Sequence, residues 1–316
     1  MPQVSIIVLT YNPDAAKLRQ TLTAAAAQQD VDFEIIISDD GSARKDFSFL
    51  PDFMDSLGMK QYQLLDHKEN RGTVQNCLRA VKAASGEYVF LTSPGDYLFD
   101  DYVLRDFYRF AKKNDVPVCF GNAVFYNTEG GTPNTTRTFG CPACPQLYAP
   151  NASAAQVNTC FFGGTWIIGA SYFRLRSLTL ACLEEIADTS VYMEDTPSTA
   201  FALAAGEHLC YYDRNVVWYE DGTGVSTGGN EKWDRLLRQD ILHSFTKLKD
   251  RYPKNPYVDI AYRNISQTNR VKRIAGNFVQ HPKIMARLAI LRKTKKKAII
   301  CTQTDLQRLS ALLENK

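Results

Sequence analysis

Residues 4–14 read VSIIVLTYNPD. Val4 to Leu9 form an apolar, largely β-branched run with little alternation, the pattern of a strand covered on both faces. Tyr11-Asn12-Pro13-Asp14 ends it, and a helix-like segment follows from Ala15 to Ala27. The unit then recurs. Strand-like runs at Glu34–Ser38, Tyr62–Leu65 and Tyr88–Leu91 are separated by helix-like segments at Asp46–Leu57 and Thr73–Ala84. In the last segment Val74, Cys77, Leu78 and Val81 lie at i, i+3, i+4, i+7 and define one apolar face. Strand, helix, strand at this spacing predicts parallel strands joined by right-handed crossovers, hence an α/β sheet.

Beyond residue 115 the pattern loosens. Residues 127–159 are rich in Gly, Pro, Asn and Thr and lack periodicity, as expected of a functional or mobile region. FFGGTWIIGASYF (161–173) and a helix-like RLRSLTLACLEEIA come next. In SVYMEDTPSTAFALAAGE, Thr196 is expected to cap a helix with Pro197 at its first position and Gly206 past its end. From about residue 230 the chain looks helical and basic, with Thr304-x-x-Gln307 as a capping box for its last helix. The expected divisions are therefore 1–115, 116–229 and 230–316.

With 45% hydrophobic and 22% charged residues, the composition is that of a globular protein. No run of about 18 apolar residues predicts a membrane span. The N-terminal residues lack signal-peptide features, so a cytoplasmic location with reduced thiols is expected. Cys141 and Cys144 form the one C-x-x-C among eight cysteines, too few ligands for a zinc site and read as a loop staple or chance. The net charge of +3 hides an asymmetry. Between Ile260 and Thr304 stand eleven Lys and Arg and no Asp or Glu, so the rest of the chain is acidic. The basic segment is expected to meet something anionic.

Ligands of open α/β sheets bind at the carboxyl ends of the strands. Three polar clusters fall there: Thr10-Tyr11-Asn12, Ser38-Asp39-Asp40-Gly41-Ser42 and Thr92-Ser93-Pro94-Gly95-Asp96. Each alone suits a turn, but three on one rim suggest a site. The first strand–helix turn has neither G-x-G-x-x-G nor G-x-x-x-x-G-K. A diphosphate held there would need a hard divalent cation and oxygen ligands. Asp96 is a candidate ligand. Asp39 or Asp40 is placed to accept a base N–H or a ribose hydroxyl. No Ser-His-Asp order and no H-E-x-x-H is present.

VSIIVLTYNPD, FEIIISDDGSARKD, HKENRGTVQNCLRAVKAASGEYVFLTSPGDYL and YMEDTPS, in that order over roughly residues 1–225, resemble family 2 glycosyltransferases. Those enzymes carry V-S-I-I-x-P-T-Y-N, D-D-G-S, N-x-G, G-E-Y-I, an acidic D-x-D turn and a later E-D. The resemblance implies a GT-A fold, a Rossmann-like mixed sheet flanked by helices, here with a C-terminal helical extension. It also implies that Tyr11 and Asp39 hold the nucleobase and ribose of a UDP-sugar donor, with Thr10, Asn12 and Asp40 beside them. Asn70 and Arg71, ahead of Gly72, reach the diphosphate or simply make a turn; Ser93 and Gly95 line the same end. Asp96 would ligate Mn²⁺ or Mg²⁺. Asp195, supported by Glu194, would be the general base of an inverting transfer. Without the resemblance, Asp195 serves equally as a charge at a helix N-terminus. The first Asp of the acidic turn is missing here, replaced by Thr92, Ser93 or Pro94. A non-catalytic sugar-nucleotide binding or scaffold protein is the rival reading.

Trp166, beside Gly164, is either an acceptor-stacking ring or a core residue. WYEDGTGVSTGG (218–229) resembles the loop that closes over the nucleotide. Q-x-x-R-W, the motif of processive members, is absent, which favours single-sugar transfer. KIMARLAILRKTKKKAII (283–300) offers Ile284, Met285, Leu288 and Leu291 as an interfacial face on anionic lipid, where a glycan or lipid-linked acceptor would be met. A solvated helix pair packed on the body is the alternative. Nothing resembles a nucleic-acid reader.

Overall fold

A computed structural model describes residues 1–137, 140, 142, 144–222 and 231–314. Among them the chain builds β1 (Val4–Thr10), α1 (Ala15–Ala26), β2 (Phe33–Asp39), α2 (Leu50–Ser56), β3 (Tyr62–Asp66), α3 (Thr73–Ala83) and β4 (Tyr88–Thr92). There follow β5 (Tyr97–Leu98), α4 (Val103–Asn114), β6 (Val118–Asn127), β7 (Asn134–Thr135), α5 (Ala154–Phe162), β8 (Tyr172–Leu175), α6 (Arg176–Ile186), α7 (Asp195–Ala204) and β9 (Leu209–Glu220). The C-terminal helices are α8 (Glu231–Arg251), α9 (Pro256–Ser266), α10 (Arg270–Gln280), α11 (Pro282–Leu291) and α12 (Gln303–Glu314).

One mixed sheet runs in the order β3-β2-β1-β4-β8-β6-β9-β5, with β7 paired to β6. β1, β2, β3 and β4 are mutually parallel where paired, as the strand–helix spacing predicts. β8 runs antiparallel to both β4 and β6, making the sheet mixed. The side-chain period of two sorts each strand between two cores. Ile7, Ile36, Val89 and Leu91 join the layer under α3, α6 and α7. Val4, Ile6, Val8, Ile35 and Ile37 join the opposite layer, with α1, α2 and α4. Strands apolar on both faces are what two buried layers require. Strand order reverses between β1 and β4, opening a crevice at their carboxyl ends.

Three helix starts differ from expectation. α2 begins at Leu50 rather than Asp46, because Asp46 accepts the Ser48 N–H at 2.9 Å in a side-chain turn that competes with helix. α7 begins at Asp195, two residues before the start at Pro197 that a Thr196 cap would give. The Asp195 carboxylate itself accepts the Thr196 N–H, while Gly206 follows the helix at φ +101° as expected. The last capping box is Thr302 with Asp305. The Thr302 N–H and hydroxyl donate to Asp305 at 2.8 and 2.7 Å, and the Asp305 N–H returns to Thr302 at 3.2 Å.

The C-terminal helices belong to the body. Leu309 of α12 is buried with Tyr97, Tyr126 and Trp218, and Gln20 of α1 donates to the Leu313 carbonyl at 2.8 Å. Leu288 of α11 is buried, closing on Gly163 at the end of α5. Cys144 bears no disulfide; Cys141 lies outside the described residues.

Candidate active site

The crevice between β1 and β4 is a cleft of about 470 Å³. Its walls include Thr10, Tyr11 and Asn12 after β1, Asp40 after β2, and Ser93 and Asp96 after β4. Glu194 and Asp195 enter from the start of α7, and Lys17 and Glu220 from α1 and the end of β9. The turns are held locally. Asn12 sits at φ +46° with its N–H donated to Ser42 at 2.6 Å and its side chain accepting the Arg44 N–H at 3.0 Å. Gly95 sits at φ +103°, a backbone conformation that favours glycine, and a Cβ there would come within 2.8 Å of Glu220 Oε2.

The two aspartates after β2 differ in role. Asp39 is fully buried and outside the cleft wall. It accepts from Thr10 at 2.9 Å, from Ser42 Oγ and N–H at 2.5 and 2.8 Å, and from Lys45 at 3.1 Å. Burial works to raise its pKa, but donors on Ser42, Lys45 and Thr10 hold it below the usual carboxylate range. Asp40 reaches the wall and accepts the Arg71 and Gly72 N–H groups at 3.0 and 2.7 Å. Asn70 and Arg71 lie outside the lining. Asn70 bonds the Gly72 N–H at 3.1 Å, and exposed Arg71 pairs with Glu69 at 3.0 Å. These two make the turn into α3. Gly72, at φ +87°, lies where a Cβ would strike Val191 at 2.4 Å, pressing this turn against the segment that leads to Glu194.

Glu194 and Asp195 converge. Glu194 Oε1 and Asp195 Oδ2 both lie 3.2–3.3 Å from the position a Cβ would take on Gly169. Burial, and for Glu194 the charge of Asp195, raise both pKa values; Arg174 opposes the rise. Arg174 is a buried cation on β8, 4.1 Å over the Tyr172 ring, donating to Ser198 at 3.3 Å. Its Nε and Nη2 have no partner among the described residues. Ser198 in turn donates to the Glu194 carbonyl. A second support comes from α8. Asp240 Oδ2 accepts three successive N–H groups, from Val191, Tyr192 and Met193, at 3.0, 2.6 and 3.1 Å. The segment leading to the carboxylate pair is thereby pinned to the C-terminal region.

Asp96 is half-buried. Burial raises its carboxyl to about 8; Glu220 donates its N–H but opposes ionisation through its charge, and Lys17 favours it. Lys17 bonds Glu220 at 2.5 Å. Among the described residues no group of three or more His, Cys, Asp or Glu is gathered to hold a metal. Asp96 and Glu220 together nevertheless present hard oxygen donors beside one lysine, a set that suits Mg²⁺ or Mn²⁺ once phosphates complete the shell.

Trp166 and Gly164 do not reach this cleft. They line a second cavity of about 430 Å³ with Arg137, Leu288 and Arg292. Of the expected covering loop, residues 223–229 lie outside the described residues, while Trp218 is buried core and Glu220 is in the cleft. The sequence reading missed Lys17, Glu220, Arg174 and Asp240. A signal existed for Arg174, a lone charge in the apolar run SYFRL, and for Glu220, which lay in the quoted loop.

A family model described as Glycosyl transferase family 2 matches residues 5–178. No curated protein matches the sequence. Solved structures align over nearly the whole chain. TarS 1–349 from S. aureus is 14% identical with a TM-score of 0.59, covering 99% of this chain and 90% of that one. The same protein in complex with UDP-GlcNAc is 16% identical with a TM-score of 0.58, at the same coverage. The mannosyltransferase PcManGT from Pyrobaculum calidifontis, in complex with GDP-Man and Mn²⁺, is 17% identical with a TM-score of 0.57, covering 98% and 79%. These likenesses share the mixed sheet flanked by helices, the GT-A fold.

Proposed function

The chain belongs to glycosyl transferase family 2, and from that premise we propose that it moves one sugar from a UDP-sugar to a hydroxyl of a glycan or lipid-linked acceptor, inverting the anomeric configuration. The transferred group is a hexose or N-acetylhexosamine. The observation that carries the reading is the cleft itself, where a raised carboxylate pair faces the strand ends that bear Tyr11, Ser93 and Asp96. TarS in complex with UDP and UDP-GlcNAc supports the uridine donor, and PcManGT with Mn²⁺ supports the cation.

In this mechanism Tyr11 and Asn12 flank the nucleoside and Asp40 sets the turn at its side. Asp195 accepts the acceptor-hydroxyl proton as that oxygen attacks the anomeric carbon, while the bond to the diphosphate breaks. Glu194 shares the buried environment of Asp195, and the Asp195 charge adds to burial in raising the Glu194 carboxyl. Arg174 favours ionisation of both carboxyls against the burial that opposes it. Asp96 and Glu220 would hold a divalent cation, which when bound neutralises charge developing on the departing diphosphate. Lys17, already on Glu220, supplies further positive charge there. We place the protein at the cytoplasmic face of a membrane, with its basic C-terminal region toward anionic lipid. No helix of the described residues is long and apolar enough to cross a membrane.

The test is calorimetric titration of UDP with and without Mn²⁺, followed by turnover of UDP-hexoses and UDP-N-acetylhexosamines. Metal-enhanced binding and sugar release to an acceptor are expected. Metal-dependent binding with no turnover of any donor would favour the scaffold alternative, and no UDP binding would remove the uridine donor.

Asp240 gives a separate prediction. Asp240→Ala strands three N–H groups and frees the segment that carries Asp195. A displacement near 1 Å costs on the order of 10²-fold. Steady-state kinetics should show that loss in kcat, with donor KM little changed and Asp240→Asn partly restored. Equal losses in kcat and nucleotide affinity would mean a general structural role.

A further inference from the structure

Helix α10 turns its apolar side outward. Its inner side is polar and small: Arg273 donates to the Asn264 carbonyl at 3.2 Å, and buried Asn277 donates to Asn264 Oδ1 at 3.0 Å. Gly276 lies so near α9 that a Cβ would come within 2.9 Å of Arg263 Nη1. Val271, Ile274, Phe278 and Val279 are left outside at 77, 41, 45 and 81% exposure, and Ile290 of α11 at 69%. A surface helix ordinarily buries that face. Five of the eleven large apolar side chains exposed among the described residues thus fall within positions 271–290.

Exposed Arg270 and Lys272 border this row on α10, and exposed Lys283 and Arg287 border it on α11. No acidic residue occurs between positions 260 and 304. The interfacial face expected from sequence is turned the other way. Leu288 is buried, and Leu291 packs against the core.

We propose that α10, with the outer side of α11, is a docking surface for an anionic lipid bilayer. The apolar row enters the headgroup boundary and the flanking cations meet lipid phosphates. The inference rests on reading the basic C-terminal region as the part that meets a membrane; it does not depend on which sugar is transferred. Charge selects this occupant. A second copy docked face to face through the same segment would set cation against cation with no acid between positions 260 and 304 to pair them, and a nucleic acid would leave the apolar row in water.

The experiment is co-sedimentation of the full chain with phosphatidylcholine vesicles, alone or with about 30 mol% phosphatidylglycerol. Wild type should bind the anionic vesicles at least ~10-fold more tightly than the neutral ones, and lose that preference in about 0.5 M NaCl. Val271→Ser with Phe278→Ser, and separately Lys272→Glu with Arg287→Glu, should each weaken binding ~10-fold or more at an unchanged melting temperature. All four side chains point to solvent, so these variants should fold. Failure of wild type to bind anionic vesicles, or variants that bind as wild type does, overturns the proposal. A wild-type dimer that the Val271 and Phe278 changes dissociate overturns it too, by showing that a second copy covers the face. UDP titration of the same samples keeps the tests apart. Unchanged nucleotide binding without vesicle binding defeats only the docking surface, whereas vesicle binding without UDP binding defeats only the donor.

Discussion

Asp195→Asn is expected to lower kcat by about 10²–10⁴-fold, the usual contribution of a positioned general base, while UDP affinity stays near wild type. Asparagine keeps the shape and can still accept the Thr196 N–H, so α7 should start as before. What it cannot do is take a proton. The pH profile supplies the sign. Burial raises the Asp195 pKa and Arg174 opposes the rise. The base acts only when ionised, so wild-type kcat/KM should fall as pH is lowered through that raised value. Glu194→Gln removes the carboxyl that the Asp195 charge raises, and the acid limb set by Asp195 should stay near its wild-type position. Arg174→Met removes the opposing cation and should move it to higher pH, with Arg174→Lys intermediate. Stopped assays across the pH range on these variants would check the assignment. An Asp195→Asn enzyme with wild-type turnover would remove Asp195 from the chemistry and leave it as the helix-terminal charge that the sequence alone allowed.

The second large effect belongs to Asp96. Asp96→Asn should abolish the Mn²⁺-dependent part of UDP binding and reduce turnover by at least about 10²-fold, because one of the two carboxylates that would hold the cation is lost. Its effect on stability should run the other way. The folded carboxyl is raised to about 8 by burial, with the Glu220 charge adding to the rise, whereas the unfolded group titrates near the ordinary value. Between these values the folded chain keeps a proton that the unfolded chain releases, so this side chain costs stability progressively as pH rises through the window. The neutral amide removes that cost. In metal-free buffer at pH 8, Asp96→Asn should melt above wild type, by about 2–4 °C per kcal/mol recovered, with the gap closing toward pH 4. Differential scanning calorimetry at several pH values checks this. A lower melting temperature at pH 8 would show that Asp96 serves the fold rather than a ligand. The expected combination is loss of function with gain of stability, as when a site holds charge that the fold alone would not choose.

The core sheet was legible because strands buried on both faces leave a continuous apolar signature. Val4–Leu9 became β1 with Thr10 added, and Glu34–Ser38 became β2 with one residue added at each end. The α3 face was legible for the same reason at the helical period. Helix starts were less so. At Asp46, Asp195 and Thr302 the outcome turned on which short side chain took a particular backbone N–H, a competition between near-equal local bonds. The strand-end clusters also diverged in a way composition cannot show. Asp39 and Asp40 are adjacent, yet one is consumed by four donors while the other faces the cleft.

Apolar periodicity and short motifs already specified the parallel strand–helix half, the polar clusters at the carboxyl ends of its strands, and the presence of Tyr11, Asp96, Glu194 and Asp195, whereas the strand order that opens a crevice between β1 and β4 came from packing. Such patterns are a few residues long, so neighbours in the chain are neighbours in space. Tertiary structure alone decided which distant charges meet. Glu220 reaches Asp96 across more than a hundred residues, Asp240 of α8 holds the segment before Glu194, and Arg174 lies behind the carboxylate pair. It also decided that α10, not α11, shows its apolar side to solvent. Chain-local patterns carry burial preferences, but the field at a carboxylate is a sum over groups brought close by packing, and no local pattern records that sum.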